Sequence, residues 1–162
     1  MAVASFQVLC EGVCSLFGAA VPELQPDANA MTGFTLQVRG VDISVVEAPH
    51  GTAPAVFVLV EFGAPPAGRE LQTWHALLDA NFLMLEANAP SFSRNPVTGD
   101  VVLQYASTLH DATCEALCES ICAIAEVAAR WRQDYFLGDA SPPGMAASAS
   151  PAPARHEASV FV

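Results

Sequence analysis

Residues 69–105 constrain this chain more than any other stretch. They begin Arg-Glu-Leu-Gln-Thr-Trp-His-Ala-Leu-Leu-Asp-Ala-Asn-Phe-Leu-Met-Leu-Glu and, after a short break, continue from 91 as Ser-Phe-Ser-Arg-Asn-Pro-Val-Thr-Gly-Asp-Val-Val-Leu-Gln-Tyr. At 3.6 residues per turn, Leu71, Trp74, Leu77, Leu78, Phe82 and Leu85 share one broad arc, with Asn81 and Met84 inside it. Only Gln72, His75, Asp79 and Glu86 make a clear polar sector. The pattern predicts a helix over 69–86 with an apolar arc wider than one sheet face needs. Such a helix covers its own sheet and meets a second surface, and in a short chain the natural second surface is another copy. The expected dimer interface is Leu71, Trp74, Leu77, Leu78, Asn81, Phe82 and Leu85. A core helix in a monomer is the plainer account of the same stripe, and the width of the arc favours the dimer.

The rest of the chain falls into order around this stretch. Residues 5–17 read as a helix with Ser5 as N-cap and Gly18 as its stop. Phe6, Leu9, Val13, Leu16 and Phe17 lie on its apolar face, with Cys10 at the edge. Residues 21–32 form a loop. Phe34, Leu36 and Val38 then alternate with polar residues, as do Val41, Ile43 and Val45, with a tight turn at Arg39-Gly40-Val41. Ala55–Phe62 is apolar almost throughout and reads as a central strand contacted on both faces. Asn95–Asp100 has turn chemistry, so 91–105 is a hairpin in which Val101, Leu103 and Tyr105 share a face. The last helix starts at an Asp111 cap and runs to about Phe136, with Leu117, Ile121, Ile124, Ala128, Trp131 and Tyr135 as its apolar face. Glu126 and Arg130 are an expected i,i+4 pair.

This gives an α+β fold in the order α-β-β-β-α-β-β-α: a five-stranded, mostly antiparallel sheet with three helices, assembled as a homodimer. Residues 1–137 form one domain. From Gly138 to Val162 the chain is rich in Ala, Ser and Pro, without periodicity, and is expected to be a disordered tail.

Charge excludes two classes of partner. Seventeen acidic residues against six basic ones give a net charge of −11, and all six basic residues are arginine. Nucleic acid and anionic membrane surfaces both require clustered positive charge. No secretory signal and no span of about 20 apolar residues is visible. Five cysteines, an odd number, then read as reduced thiols in a cytoplasm.

Cys10 and Cys14 stand one turn apart, as do Cys114, Cys118 and Cys122. If the outer helices met, four thiolates could surround zinc. There is no Cys-x-x-Cys, and small core residues at helical spacing are the plainer account, so no metal and no cofactor are expected. Four histidines (His50, His75, His110, His156) and many carboxylates accompany no nucleophile elbow, phosphate loop or His-Glu-x-x-His. His110-Asp111 beside Cys114 reads as the start of a helix. No catalytic residue is expected, and the chain is not read as an enzyme.

Leu77-Leu78-Asp79-Ala80-Asn81-Phe82, the Thr98-Gly99-Asp100 turn, the Val101-Val102-Leu103 strand, Leu109, and the helix end Val127-Ala128-Ala129-Arg130-Trp131-Arg132 together resemble one known family. These are the class I chaperones of bacterial type III secretion systems, the Tir-chaperone-like family. The resemblance spans about residues 5–136, and the chain departs from the pattern in the 21–32 loop and in a longer tail. It implies a cytoplasmic homodimer that binds the N-terminal segment of a secreted effector, keeps it soluble and competent for secretion, and delivers it to the export apparatus, with the export ATPase as a further partner. It implies no catalysis. The implied client fills apolar grooves and adds a strand to a sheet edge, a mode in which main-chain bonds hold the strand and pockets take alternate side chains. The candidate client contacts are Phe6, Leu9, Val13 and Phe17 of the first helix and Phe34, Leu36 and Val38 of the sheet. An amphipathic helix that simply buries these residues is the competing account. Two further readings are a dimeric interaction or regulatory module of the same fold without a secretion client, and a small metal-binding enzyme.

Overall fold

The computed structural model describes residues 5–50, 53–84 and 89–137. Leu85, Glu86 and the tail from Gly138, all part of the expectations above, lie outside the described residues. The elements are α1 (Phe6–Phe17), β1 (Thr32–Val38), β2 (Val41–His50), β3 (Ala53–Gly63), α2 (Glu70–Leu83), β4 (Ser91–Arg94), β5 (Val101–Thr108) and α3 (Cys114–Asp134). The strands form one sheet in the order β1-β2-β3-β5-β4, and every pair is antiparallel. The expected element order and fold class are therefore correct.

Local chemistry explains the boundaries. The Ser5 hydroxyl accepts from the Val8 N–H at 3.3 Å and starts α1, and Gly18 ends it in the left-handed conformation. Arg39 and Gly40 both have positive φ, 53° and 74°, which makes the two-residue turn between β1 and β2. Asn95 closes the β4–β5 turn. Its N–H donates to Asp100 O, its C=O accepts from Gly99 N–H, and its side chain accepts from Val97 N–H.

α1 and α3 lie side by side on one face of the sheet. α3 crosses β3, where Trp131 meets Phe62 at 5.7 Å between ring centroids, and Phe62 meets Phe92 at 5.2 Å. Phe6 of α1 meets Phe34 of β1 at 5.7 Å. Burying a side chain of this size contributes about 1.5–3 kcal/mol relative to leaving it in water.

The contact between the two helices rotates the buried face of α1 away from the expected one. Cys10 and Cys14 are fully buried toward α3, and Leu16 is turned out to solvent. Gly12 permits the close approach, since a Cβ there would run into the Cys114 sulfur. β3 is central, as expected, but only one of its faces is fully covered. Val56, Val58, Val60 and Phe62 are buried under the helices, whereas Phe57, Leu59 and Glu61 on the other face are half-buried.

Two details at α3 differ from expectation. Its N-cap is Thr113, whose hydroxyl accepts from Ala116 N–H at 3.2 Å. Asp111 is not the cap because its carboxylate accepts from the Thr108 hydroxyl at 2.6 Å within the preceding turn. Glu126 pairs with Arg39 at 2.6 Å rather than with Arg130. Both groups of that pair are more than half exposed, so it contributes little.

Arg132 ties the C-terminal end of α3 to the sheet. Its guanidinium donates to Phe62 O at 2.9 Å, Gly40 O at 2.9 Å and Glu61 O at 3.0 Å. Three donors held in a planar fork match three carbonyls, which an ammonium cannot do in one position. Arg132→Ala is expected to lower stability by roughly 1–3 kcal/mol, with Arg132→Lys recovering less than half of the loss. Urea unfolding followed by tryptophan fluorescence measures both.

Candidate protein-interaction surfaces

The two edges of the sheet are treated differently. At the β4 edge, alternation from the hairpin turn points the Phe92 N–H and C=O outward. Asn81 of α2 takes both groups: its side-chain oxygen accepts from Phe92 N–H at 2.7 Å and its Nδ2 donates to Phe92 O at 3.0 Å. A side-chain amide here does what a neighbouring strand would do. The expectation that Asn81 lies at a subunit interface meets a residue whose amide is already occupied inside the protomer.

The β1 edge carries no paired strand among the described residues. Val38 and Val41 flank the two-residue turn and exchange hydrogen bonds, so Gly33, Thr35 and Gln37 turn their backbone groups outward. Beside this edge a groove runs between β1 and the chain leaving α1, bordered by Phe17, Ala19, Pro22, Leu36 and Val38 together with Thr35, Gln37 and Arg39. An open strand edge next to a groove with apolar side chains is the physical requirement for adding an extended peptide.

The seven residues expected to touch a client differ in how much surface they present. Phe6, Leu9, Val13, Phe34, Leu36 and Val38 are buried in the protomer core, and Phe17 is half-buried. The competing account, an amphipathic helix that buries its own face, describes Phe6, Leu9 and Val13, and Phe34 of β1 is buried beneath that face. Only Phe17, Leu36 and Val38 also border the groove.

α2 is the least integrated helix. It has no side-chain N-cap, and the Glu70 carboxylate folds back to accept from Gly68 N–H at 2.9 Å. Those backbone N–H groups, first its own and then that of Gly68, hold the Glu70 carboxyl below its usual range. Its inner face is Thr73 and Leu77, with Trp74 and Asn81 half-buried. Thr73 was not apparent as an inner residue because it is polar. Its hydroxyl donates to Arg69 O at 3.0 Å, which lets it be buried. The outer face carries Leu71, Leu78, Phe82 and Leu83, exposed by 70%, 62%, 71% and 80%. Leu71, His75, Leu78 and Phe82 follow helical spacing, so the expected broad arc is really two stripes, one inward and one outward. Leu77 belongs to the inner stripe and is buried. Among the described residues no helix is long and apolar enough to cross a membrane.

Cys10, Cys14, Cys114 and Cys118 line the contact between α1 and α3. Cys10 and Cys14 sulfurs lie 4.0 Å apart, and Cys114 Sγ stands 4.0 Å from Leu9 O. Among the described residues no group of three or more His, Cys, Asp and Glu side chains could hold a metal ion. Burial, reinforced by Cys14, pushes the Cys10 thiol up to about 12, and burial with its cysteine neighbours pushes Cys118 up to about 11. Thiols this hard to ionise are poor nucleophiles at neutral pH.

An open edge, a groove beside it and a bare apolar helix face define a protein-interaction module. Residues 14–132 match the model of the Tir chaperone protein (CesT) family, and the chain belongs to this family of type III secretion chaperones. No curated protein matches it significantly. Its fold is similar to that in the ExsC-ExsE complex, with a TM-score of 0.59 and 15% identity over 78% of this chain and 90% of that chain. It is also similar to the HopA1-SchA chaperone-effector complex (0.53, 8% identity, 79% and 93% covered). The ExoT-SpcS complex from Pseudomonas aeruginosa is a third (0.50, 15%, 77% and 95%). At these identities the likeness concerns the fold alone.

Asn81→Ala leaves the two outward groups of Phe92 without a partner. It is expected to cost about 1–2 kcal/mol and to speed hydrogen exchange at the Phe92 amide by tenfold or more. Amide exchange followed by NMR checks this.

Proposed function

We propose that this protein is a homodimeric cytoplasmic chaperone that binds the N-terminal segment of a type III effector in extended form and presents it to the export apparatus. The carrying observation is membership of the Tir chaperone family over residues 14–132. The chaperone-effector complex named among the similar structures supports the same reading. Its action is binding, with no chemical step.

Geometry supports a division of labour between two surfaces. The outer stripe of α2 is the dimer interface, with Leu71, Leu78 and Phe82 as its apolar anchors, Trp74 at its rim and Leu83 added to the expected set. The free edge of β1 receives the client as an added strand, through the outward backbone groups of Gly33, Thr35 and Gln37. Phe17, Leu36 and Val38 present the groove for alternate client side chains. Main-chain recognition tolerates many sequences, which suits a client held unfolded. The client pays ordering entropy on binding, and burial in the groove offsets it. The net charge of −11 suits a basic client or a basic export component such as a surface of the export ATPase.

Co-expression with an effector from the same source, followed by size-exclusion chromatography with light scattering, tests this. The expected species contains two copies of this chain and one client, and it persists when the client is trimmed to its N-terminal segment. A monomer that captures nothing contradicts the proposal. The double variant Leu78→Glu/Phe82→Glu is expected to run as a monomer with an intact fold by circular dichroism. A stable dimer carrying both changes would remove α2 from the interface.

A further inference from the structure

After α3 the chain reverses through a conformation that its own residues do not favour. Tyr135 and Phe136 have φ of 56° and 59°, in the left-handed region that non-glycine residues rarely adopt. Such a conformation persists only where its surroundings over-determine it. Here three hydrogen bonds hold it. Tyr135 N–H donates to Trp131 O at 2.7 Å, Phe136 N–H to Asp134 Oδ1 at 3.0 Å and Leu137 N–H to Asp134 O at 2.9 Å. The Phe136 ring then meets Phe92 of β4 edge-on, with 5.9 Å between centroids, and Leu137 is buried.

The reversal gives the chain a direction. Arg132, just before it, bonds Gly40 O in the β1–β2 turn, whereas Phe136 packs on β4, so the chain is carried away from the β1 side and toward the opposite edge. Phe92 is also the residue whose N–H and C=O are held by Asn81, so the chain departs one ring away from α2. Leu78 lies three residues before Asn81 and Phe82 directly after it, both exposed on the outer stripe. Residues 138–162, outside the described residues, contain four large apolar side chains: Met145 and the run Val160-Phe161-Val162. Residues 138–159 join that run to Leu137. Even at random-coil dimensions, about 5–6 Å times the square root of the residue number, they span the roughly 18 Å of helix from Leu71 to Leu83. Tethering supplies an effective concentration in the millimolar range, enough for a contact of three side chains that would be too weak between separate molecules.

We propose that Val160-Phe161-Val162 docks on the outer stripe of α2 in the single copy, against Leu78 and Phe82, and is displaced when two copies pair. The inference rests on the reading of α2 as the dimer interface and adds a control on assembly to it. Both copies must release their tails before the two stripes meet, so a modest self-contact enters the dimerisation constant twice.

Two variants of the whole chain test it. Val160→Ser/Phe161→Ser/Val162→Ser removes the apolar run without shortening the chain. Sedimentation velocity over a dilution series is expected to show this variant dimerising about five- to tenfold more tightly than the wild type. In the second variant p-benzoylphenylalanine replaces Phe161. Irradiated at a dilution where the chain is monomeric, it is expected to cross-link to residues 78–83 of the same chain, mapped by mass spectrometry. An unchanged dimerisation constant, or cross-links that fall on the groove beside β1, overturns the proposal and leaves the chaperone reading intact. Wild-type and serine-substituted chains that both stay monomeric at every concentration remove the dimer reading and this inference together.

Discussion

The packing of α3 across β3 is the contact on which the rest of the structure depends. Phe62 and Trp131 lock the middle of the sheet to the C-terminal half of the helix, and Arg132 bonds three carbonyls just beyond them. With α3 fixed, α1 has one place to lie: beside it, over β1 and β2, in the space that Gly12 leaves for Cys114. The strands are then committed to a single covered face. α2 is left over, attached mainly to the short strand β4, and its outer leucines and phenylalanine have nothing of their own chain to cover them among the described residues.

In the proposed function, client binding follows from an asymmetry between the sheet edges. An edge strand is a template for any extended chain, and proteins usually blunt it. Here one edge is blunted by a single side chain, Asn81, which imitates a neighbouring strand at Phe92. The other edge has no paired strand among the described residues and is bordered by Phe17, Leu36 and Val38. In the proposed function, blocking β4 directs the client to β1 and keeps α2 free for assembly. The Leu-Leu-x-Ala-Asn sequence thereby acquires a physical meaning. Leu77 anchors the helix inward, Leu78 faces outward, and Asn81 closes the edge.

Much of the fold was legible because its signals are local. Alternation marked β1 and β2, the Arg39-Gly40 turn fixed their register, and Ser5 and Gly18 bounded α1. What sequence reading missed depends on tertiary neighbours. The face of α1 rotated because α3 lies beside it, which buried Cys10 and released Leu16. Asp111 looked like a cap until Thr108 was seen to occupy its carboxylate. Glu126 found Arg39 across the fold rather than Arg130 one turn along. The interaction surfaces were only partly legible for the same reason. Apolar residues at helical spacing announce burial, but not whether their own chain or another covers them. Phe6, Leu9 and Val13 were covered internally, while Leu71 and Phe82 were not. The outward backbone groups of β1 have no side-chain signature, so only the strand order could reveal them.

The central claim is that an extended client joins the sheet at β1, and amide hydrogen exchange on the client complex tests it most directly. The account predicts that the Gly33, Thr35 and Gln37 amides, fast-exchanging in the free protein, become protected when the effector segment binds, while the Phe92 amide stays unchanged. Unaltered exchange at all three β1 positions in a saturated complex would contradict it and place the client elsewhere on the protein.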